Sequence, residues 1–210
     1  FPSSELPSVA LERAKMSLAS TFSSAAMGVS IDSARIVRDL ECSLAPTGTS
    51  SVWFEVGHLP VDRASRVNAL ASDAAASDDS DMRSIAHIGT IVSTTGVAMA
   101  ERLDSSGREL LAAMVLGYEV AGRVDEALTP GRMQRGFHGS VSTIFGGAVT
   151  AGRLLGLDAA HMAQAIAIAA TSAGGMAIAA DTSCAREYHA GLAAQLGIQA
   201  RSEEHTSELQ

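Results

Sequence analysis

Apolar residues recur every three or four positions along most of this chain, the spacing that places them on one face of a helix. The pattern predicts seven or eight helices. The first runs roughly over Ser8–Ala26, with Ser8 as N-cap and Gly28 as its stop. The second covers about Ser33–Leu44, with Ile36, Val37, Leu40 and Leu44 lining one face, and ends before Pro46. Ser51–Val56 is the one convincing extended piece. Val61–Ala75 follows Pro60, which suits the first turn of a helix because proline lacks the N–H left unpaired there. His87–Leu103 and Gly107–Leu128 form an antiparallel pair across the turn Asp104-Ser-Ser-Gly107. Ser140–Leu155 and Asp158–Ala180 form another pair, with Asp158 as N-cap, and Cys184–Ala200 follows. Short helix-to-helix connections imply an all-α helical bundle.

The stretch Ala159–Ala180 is long and apolar enough to require a membrane test. His161, Gln164, Thr171, Ser172 and two glycines make insertion costly, and its many alanines return little transfer energy. A single buried core helix is the expectation. Composition supports the helical picture. Aromatics are 4% of the chain, and after Pro60 only Pro130 interrupts the pattern. Apolar residues at 47% against 18% charged exclude disorder as the main state. A net charge of −8 without a basic run argues against nucleic acid as a partner. Cys42 and Cys184 have no metal-ligand spacing and are too few for a disulfide framework, so a reducing cytoplasm is the expected compartment. Cys184 also lacks an activating base. Gly146-Gly147 and Gly152 lie inside a helical pattern and indicate close packing, not a cofactor loop.

The final ten residues, Arg201–Gln210, break from the Ala-rich text before them and look like a translated sequencing adapter. The expected organisation is one partial helical domain over 1–200 and an artefactual tail over 201–210. Phe1 is not a start residue, so an internal piece of a longer protein is expected, itself inactive.

Chemistry concentrates at three helix junctions. Ser77-Asp78-Asp79-Ser80-Asp81 precedes His87 at a helix start. Crowded carboxylates repel unless solvated or paired, though the downstream spacing of a calcium loop is missing. The positive end of the helix is expected to lower the His87 pKa. The loop Pro130–Gly139 sets Arg132, Arg135 and His138 before a helix N-terminus, a combination suited to a carboxylate. Arg186 and His189, three apart, open the last helix on one side. Each cluster also has a plain structural alternative: a solvated loop, solvated arginines, or a histidine satisfying a helix end.

In order along the chain, Ser106–Glu119, Gly136-Phe-His138, Gly152–Asp158, the Ala-rich helix to Ala180 and Arg186–Gly191 resemble the MmgE/PrpD family, also called the 2-methylcitrate dehydratase family. The match runs through nearly all of residues 5–200. The resemblance implies the larger, helical domain of a two-domain homodimer, with the α+β lid domain absent, no metal and no organic cofactor. It implies a lyase acting on small di- and tricarboxylic acids by proton abstraction next to a carboxylate. His87, His138, Asp78 and Asp79 are then the expected catalytic residues, and Arg186, Arg135 and His189 the expected substrate-binding ones. Several positions depart from the family pattern, among them Ala69 after Asn68, Ser80 in place of threonine and Ile88 after His87 where proline is usual. Asp73 stands where the family has a histidine, Ala76 where it has an aspartate, and Arg186 where it has a lysine. Arginine keeps the charge but cannot give up a proton. A non-enzymatic scaffold and a carboxylate-binding protein without turnover are the alternatives.

Overall fold

The computed structural model describes residues 5–206 apart from 46, 84 and 184, with side chains to residue 200. Cys184 therefore lies outside the described residues. Ten helices are described: α1 (Ser8–Gly28), α2 (Asp32–Leu44), α3 (Val61–Ala75), α4 (Ile88–Leu103), α5 (Gly107–Leu128), α6 (Gly131–Gln134), α7 (Ser140–Leu155), α8 (Ala159–Thr171), α9 (Ala177–Thr182) and α10 (Arg186–Thr206). The only sheet among the described residues is a two-residue hairpin, β1 (Ser50–Ser51) against β2 (His58–Leu59). The extended piece expected at Ser51–Val56 is mostly the tip of that hairpin. The architecture is all-α.

α3, α4, α7 and α10 form the centre, with α1 and α5 packed outside them. α4 is buried over nearly its whole length, from Ile88 to Ala100. Few core side chains are large, so the helices approach closely. A methyl group on Gly117 of α5 would lie 2.6 Å from the Gly146 carbonyl of α7. A methyl group on Gly197 of α10 would lie 3.0 Å from the backbone of Ile144 and of Ala148. Such contact needs hydroxyl side chains, where they are buried, to find one another. Ser65 pairs with Thr95 at 3.3 Å, Ser72 with Thr90 at 2.9 Å, and Thr21 with Ser93 at 3.3 Å, tying α1, α3 and α4 together. Paired hydroxyls avoid the cost of unsatisfied burial.

Several boundaries follow from local chemistry. Ser106 and Glu109 form a reciprocal capping box at the start of α5, and Asp158 accepts the His161 N–H at the start of α8. α1 begins at Ser8, but Pro7 occupies the cap position and no side chain caps it. The helix expected over Asp158–Ala180 is broken. α8 stops at Thr171, residues 172–176 form a loop, and α9 is a separate short turn. Only Ala165, Ala169 and Ala177 of these two helices are buried, so the single core helix is overturned. Among the described residues no helix is long and apolar enough to cross a membrane. On α2 the expected apolar face is also mostly outward: Val37 is buried, while Ile36, Leu40 and Leu44 are exposed. α10 runs without a break through residue 200 to Thr206.

Candidate active site

The end of α3, the loop that follows and the start of α4 bring the first group together. His87 caps α4, and its Nδ1 lies 3.0 Å from Asp78 Oδ1. Thr90, one turn into α4, donates to Asp78 Oδ2 at 2.5 Å, which leaves the Asp78 side chain fully buried. The hydrogen bond to Asp78 raises the His87 pKa above its usual 6.5, with burial opposing. This corrects the sequence expectation of a lowered pKa. A carboxylate in contact outweighs the diffuse positive end of a helix.

Asp73, on the last turn of α3, faces the same group. Its side chain is only 7% exposed. Arg186, at the start of α10, donates from Nη2 to the Asp73 backbone carbonyl at 2.7 Å, and its Nε lies 3.7 Å from Asp73 Oδ2. Burial pushes the Asp73 pKa up to about 6, with Arg186 and His87 pulling it down and Asp78 and Glu187 adding to the rise. Asp73 entered the sequence analysis only as a departure from the family pattern. The available signal was its place one turn before the end of a helix that leads into an acidic loop.

His138 approaches from the other side. Its ring centroid is 5.0 Å from that of His189 on α10. Burial lowers the His138 pKa to about 4, and the nearby His189, Arg132, His87 and Arg186 add repulsion. Burial also lowers the pKa of His189, whose Nδ1 is buried without a hydrogen bond. The break between α8 and α9 is what holds His138. The His138 N–H donates to the Gly175 carbonyl at 2.9 Å, the Ala177 N–H donates to Gly136, and Ser140 Oγ donates to the Gly174 carbonyl at 3.0 Å. Gly175 sits at φ 127°, and a side chain there would strike Ser140 Oγ. An unbroken helix could not offer these carbonyls, since its own turns would use them.

Two expected residues lie apart from this group. Asp79 turns the opposite way from Asp78, accepting from Ser17 Oγ at 3.1 Å and Tyr118 OH at 3.2 Å. It borders a separate cleft of about 970 Å³ between α1 and α5. Burial raises its pKa. Consecutive residues in an extended loop point to opposite sides, so one of the two had to leave. Arg135 folds back along its own loop, where Nη2 donates to the Leu128 carbonyl at 3.2 Å. Its neighbour Arg132 is buried against Asp125, which also accepts from Ser142, and serves to anchor the loop.

Among the described residues, one group of potential metal donors converges: Asp73, Asp78 and His87, with donor atoms within 4.8 Å. His87 is already hydrogen-bonded to Asp78, and the Arg186 guanidinium lies beside Asp73. A guanidinium at that range opposes a divalent ion, so the arrangement is an ion-pair network. Arg186, His87 and His138 lie within electrostatic range of one another, with the pKa of His87 raised and that of His138 lowered.

Comparison with known proteins agrees with this architecture. The chain is 27% identical over 201 residues to cis-aconitate decarboxylase from Aspergillus terreus, covering 92% of this chain and 41% of that protein. It is 30% identical over 197 residues to cis-aconitate decarboxylase from Homo sapiens, covering 90% and 40% respectively. The chain thus spans about two fifths of the length of the curated relatives it matches. The family model described as the MmgE/PrpD N-terminal domain matches residues 1–202, and the chain belongs to that family.

Proposed function

We propose that this domain is the helical part of a cofactor-independent lyase for small di- and tricarboxylic acids, of the 2-methylcitrate dehydratase type. The observation that carries it is the opposite pKa shift of two histidines, His87 and His138, that both lie within electrostatic range of Arg186. His138 stays neutral at physiological pH and is suited to act as base, whereas the hydrogen bond to Asp78 shifts His87 toward its protonated form and suits it to act as acid. Protons next to a carboxylate are weakly acidic, so the charge that develops on removal must be stabilised by a cation. Arg186 is placed for that role and for anchoring a substrate carboxylate. In a dehydration, His138 takes the carbon-bound proton and His87 protonates the departing hydroxyl, which leaves as water. His138 Nδ1 accepts the Ser140 N–H at 3.3 Å, a long contact that costs little to exchange when the ring changes tautomer. His189 lines the same wall. A cytoplasmic homodimer, carried by the family expectation, belongs to the same proposal.

The test uses the protein from the complete gene, incubated in deuterated water with 2-methylcitrate, citrate, cis-aconitate and iminodisuccinate and followed by proton NMR. Loss of an α-proton signal or new vinyl signals are expected with one of these acids. A folded protein that exchanges nothing would sink the lyase reading. Ala76 favours the second reading, a member of the fold that binds carboxylates or serves as a scaffold without turnover. It ends α3 in the left-handed conformation at φ 51° and carries no group able to act. Binding of an acid without exchange or product would select that alternative.

A further inference from the structure

The charges around Arg186 do not balance. Three acidic side chains, Asp73, Asp78 and Glu187, gather around two basic ones, Arg186 and His87, while His138 is uncharged. The Asp73 side chain receives no hydrogen bond at Oδ2, and Glu187 Oε2 is likewise buried without one. Other charges are spent elsewhere. Glu41 of α2 closes on Arg63 and Arg66 of α3 at 2.5 and 2.8 Å, two turns back from Asp73. α1 meets this end of α3 through Ser24, which donates to the Ser72 carbonyl, and contributes no charge at that contact. The groups facing Asp73 are thus Asp78 from the loop, His87 at the head of α4, and Arg186 and Glu187 from α10.

A carboxylate ligand arriving at Arg186 would meet a fully ionised site that already carries an excess negative charge. Such a site repels the ligand unless one carboxyl is neutral. We propose that Asp73 is a specificity-determining residue that must hold a proton for this site to accept a carboxylate at Arg186. The inference rests on the carboxylate reading above. Asp73 is the group for the task because it is buried, adjoins Arg186 through both its carbonyl and its carboxyl, and has a buried Oδ2 that receives no hydrogen bond to stabilise its charge. Its titration near pH 6 puts the transition within the working range of the fold. Binding and protonation are then linked, and affinity falls about tenfold per pH unit above the titration. His87 adds a second fall at higher pH, where it loses its proton.

Fumarate, a dianion above about pH 5, is a suitable probe, added to the protein from the complete gene while the imidazole signals are followed by NMR. The apparent Kd of the unmodified protein should weaken roughly tenfold between pH 5 and pH 7. Asp73→Asn keeps the shape and removes the charge. It should flatten that fall and bind roughly tenfold more tightly than the unmodified protein at pH 7. The same fall in the Asn variant, or pH-independent binding in the unmodified protein, overturns this inference and leaves the carboxylate reading standing. Failure of both proteins to bind fumarate at any pH overturns both. A second measurement needs no variant: saturating fumarate should raise the titration midpoint of the Asp73 carboxyl, followed by carbon-13 NMR. An unmoved midpoint rejects the proposal.

Discussion

His87 and His138 carry the same side chain and titrate on opposite sides of the ordinary imidazole value. His87 gains a carboxylate, so its ion pair stabilises the fold below pH 6.5 and that contribution is lost as pH rises through its folded pKa. His138 is buried as the neutral ring, so its contribution is present above pH 6.5 and lost as pH falls toward about 4. Proton NMR of the ring signals should show His138 uncharged down to about pH 5 and His87 still charged at pH 6.5. Asp78→Asn removes the largest cause of the His87 shift and leaves burial opposed only by the weaker pull of Asp73, so the His87 midpoint should drop below 6.5 with little change at His138. Two rings titrating together near 6.5 would show that neither environment is as described. Spacing in the sequence pointed to both histidines, but the direction of the His87 shift was beyond it. That direction depended on which of two adjacent aspartates turned inward.

At the scale of elements, close helix contact decides effects that helix propensity alone would invert. Gly→Ala on an open helix face stabilises by about 1 kcal/mol. Gly117 is different, because an added methyl would lie 2.1 Å from Thr150 Oγ1 and 2.6 Å from the Gly146 carbonyl. The threonine can rotate, whereas the helix backbone cannot. Overpacking of this kind costs about 1–3 kcal/mol, which exceeds the propensity gain. Gly117→Ala should therefore lower the unfolding free energy in urea, and a stabilised variant would show that α5 and α7 are further apart. The glycines of α7 were legible as packing residues because they interrupt a helical pattern without turn residues beside them. The break between α8 and α9 was harder to see. Gly174-Gly175 was the one local sign of it within an otherwise Ala-rich stretch, and the groups it must pair with, Gly136-Phe-His138, lie 35 or more residues away.

For the whole molecule, the largest mismatch between sequence pattern and burial lies on α2. Ile36, Leu40 and Leu44 are spaced to face a core, yet they are 58%, 47% and 62% exposed. Phe54 at the hairpin tip and Met27 at the end of α1 are also exposed. Exposed apolar side chains of this kind favour association. Light scattering on this chain should give a mass above the 21.5 kDa of a monomer, rising with concentration. A monodisperse monomer at high concentration would count against the surface being sticky, and replacing Ile36 and Leu40 by Gln should reduce the association if α2 carries it.

The sequence by itself determined the helical class, the starts of α3, α5 and α7, and the three junctions where polar groups gather. Those features are local: they follow from apolar period, proline and capping chemistry within a few residues. Only the tertiary structure decided which members of each cluster meet. Asp78 joins His87 while Asp79 turns to Ser17 and Tyr118, Arg186 reaches back to α3, and Arg135 stays on its own loop. It also brought Asp73 into the site and set the opposite pKa shifts of the two histidines. Burial and charge pairing arise between segments distant in the chain, and no spacing rule within one segment carries them.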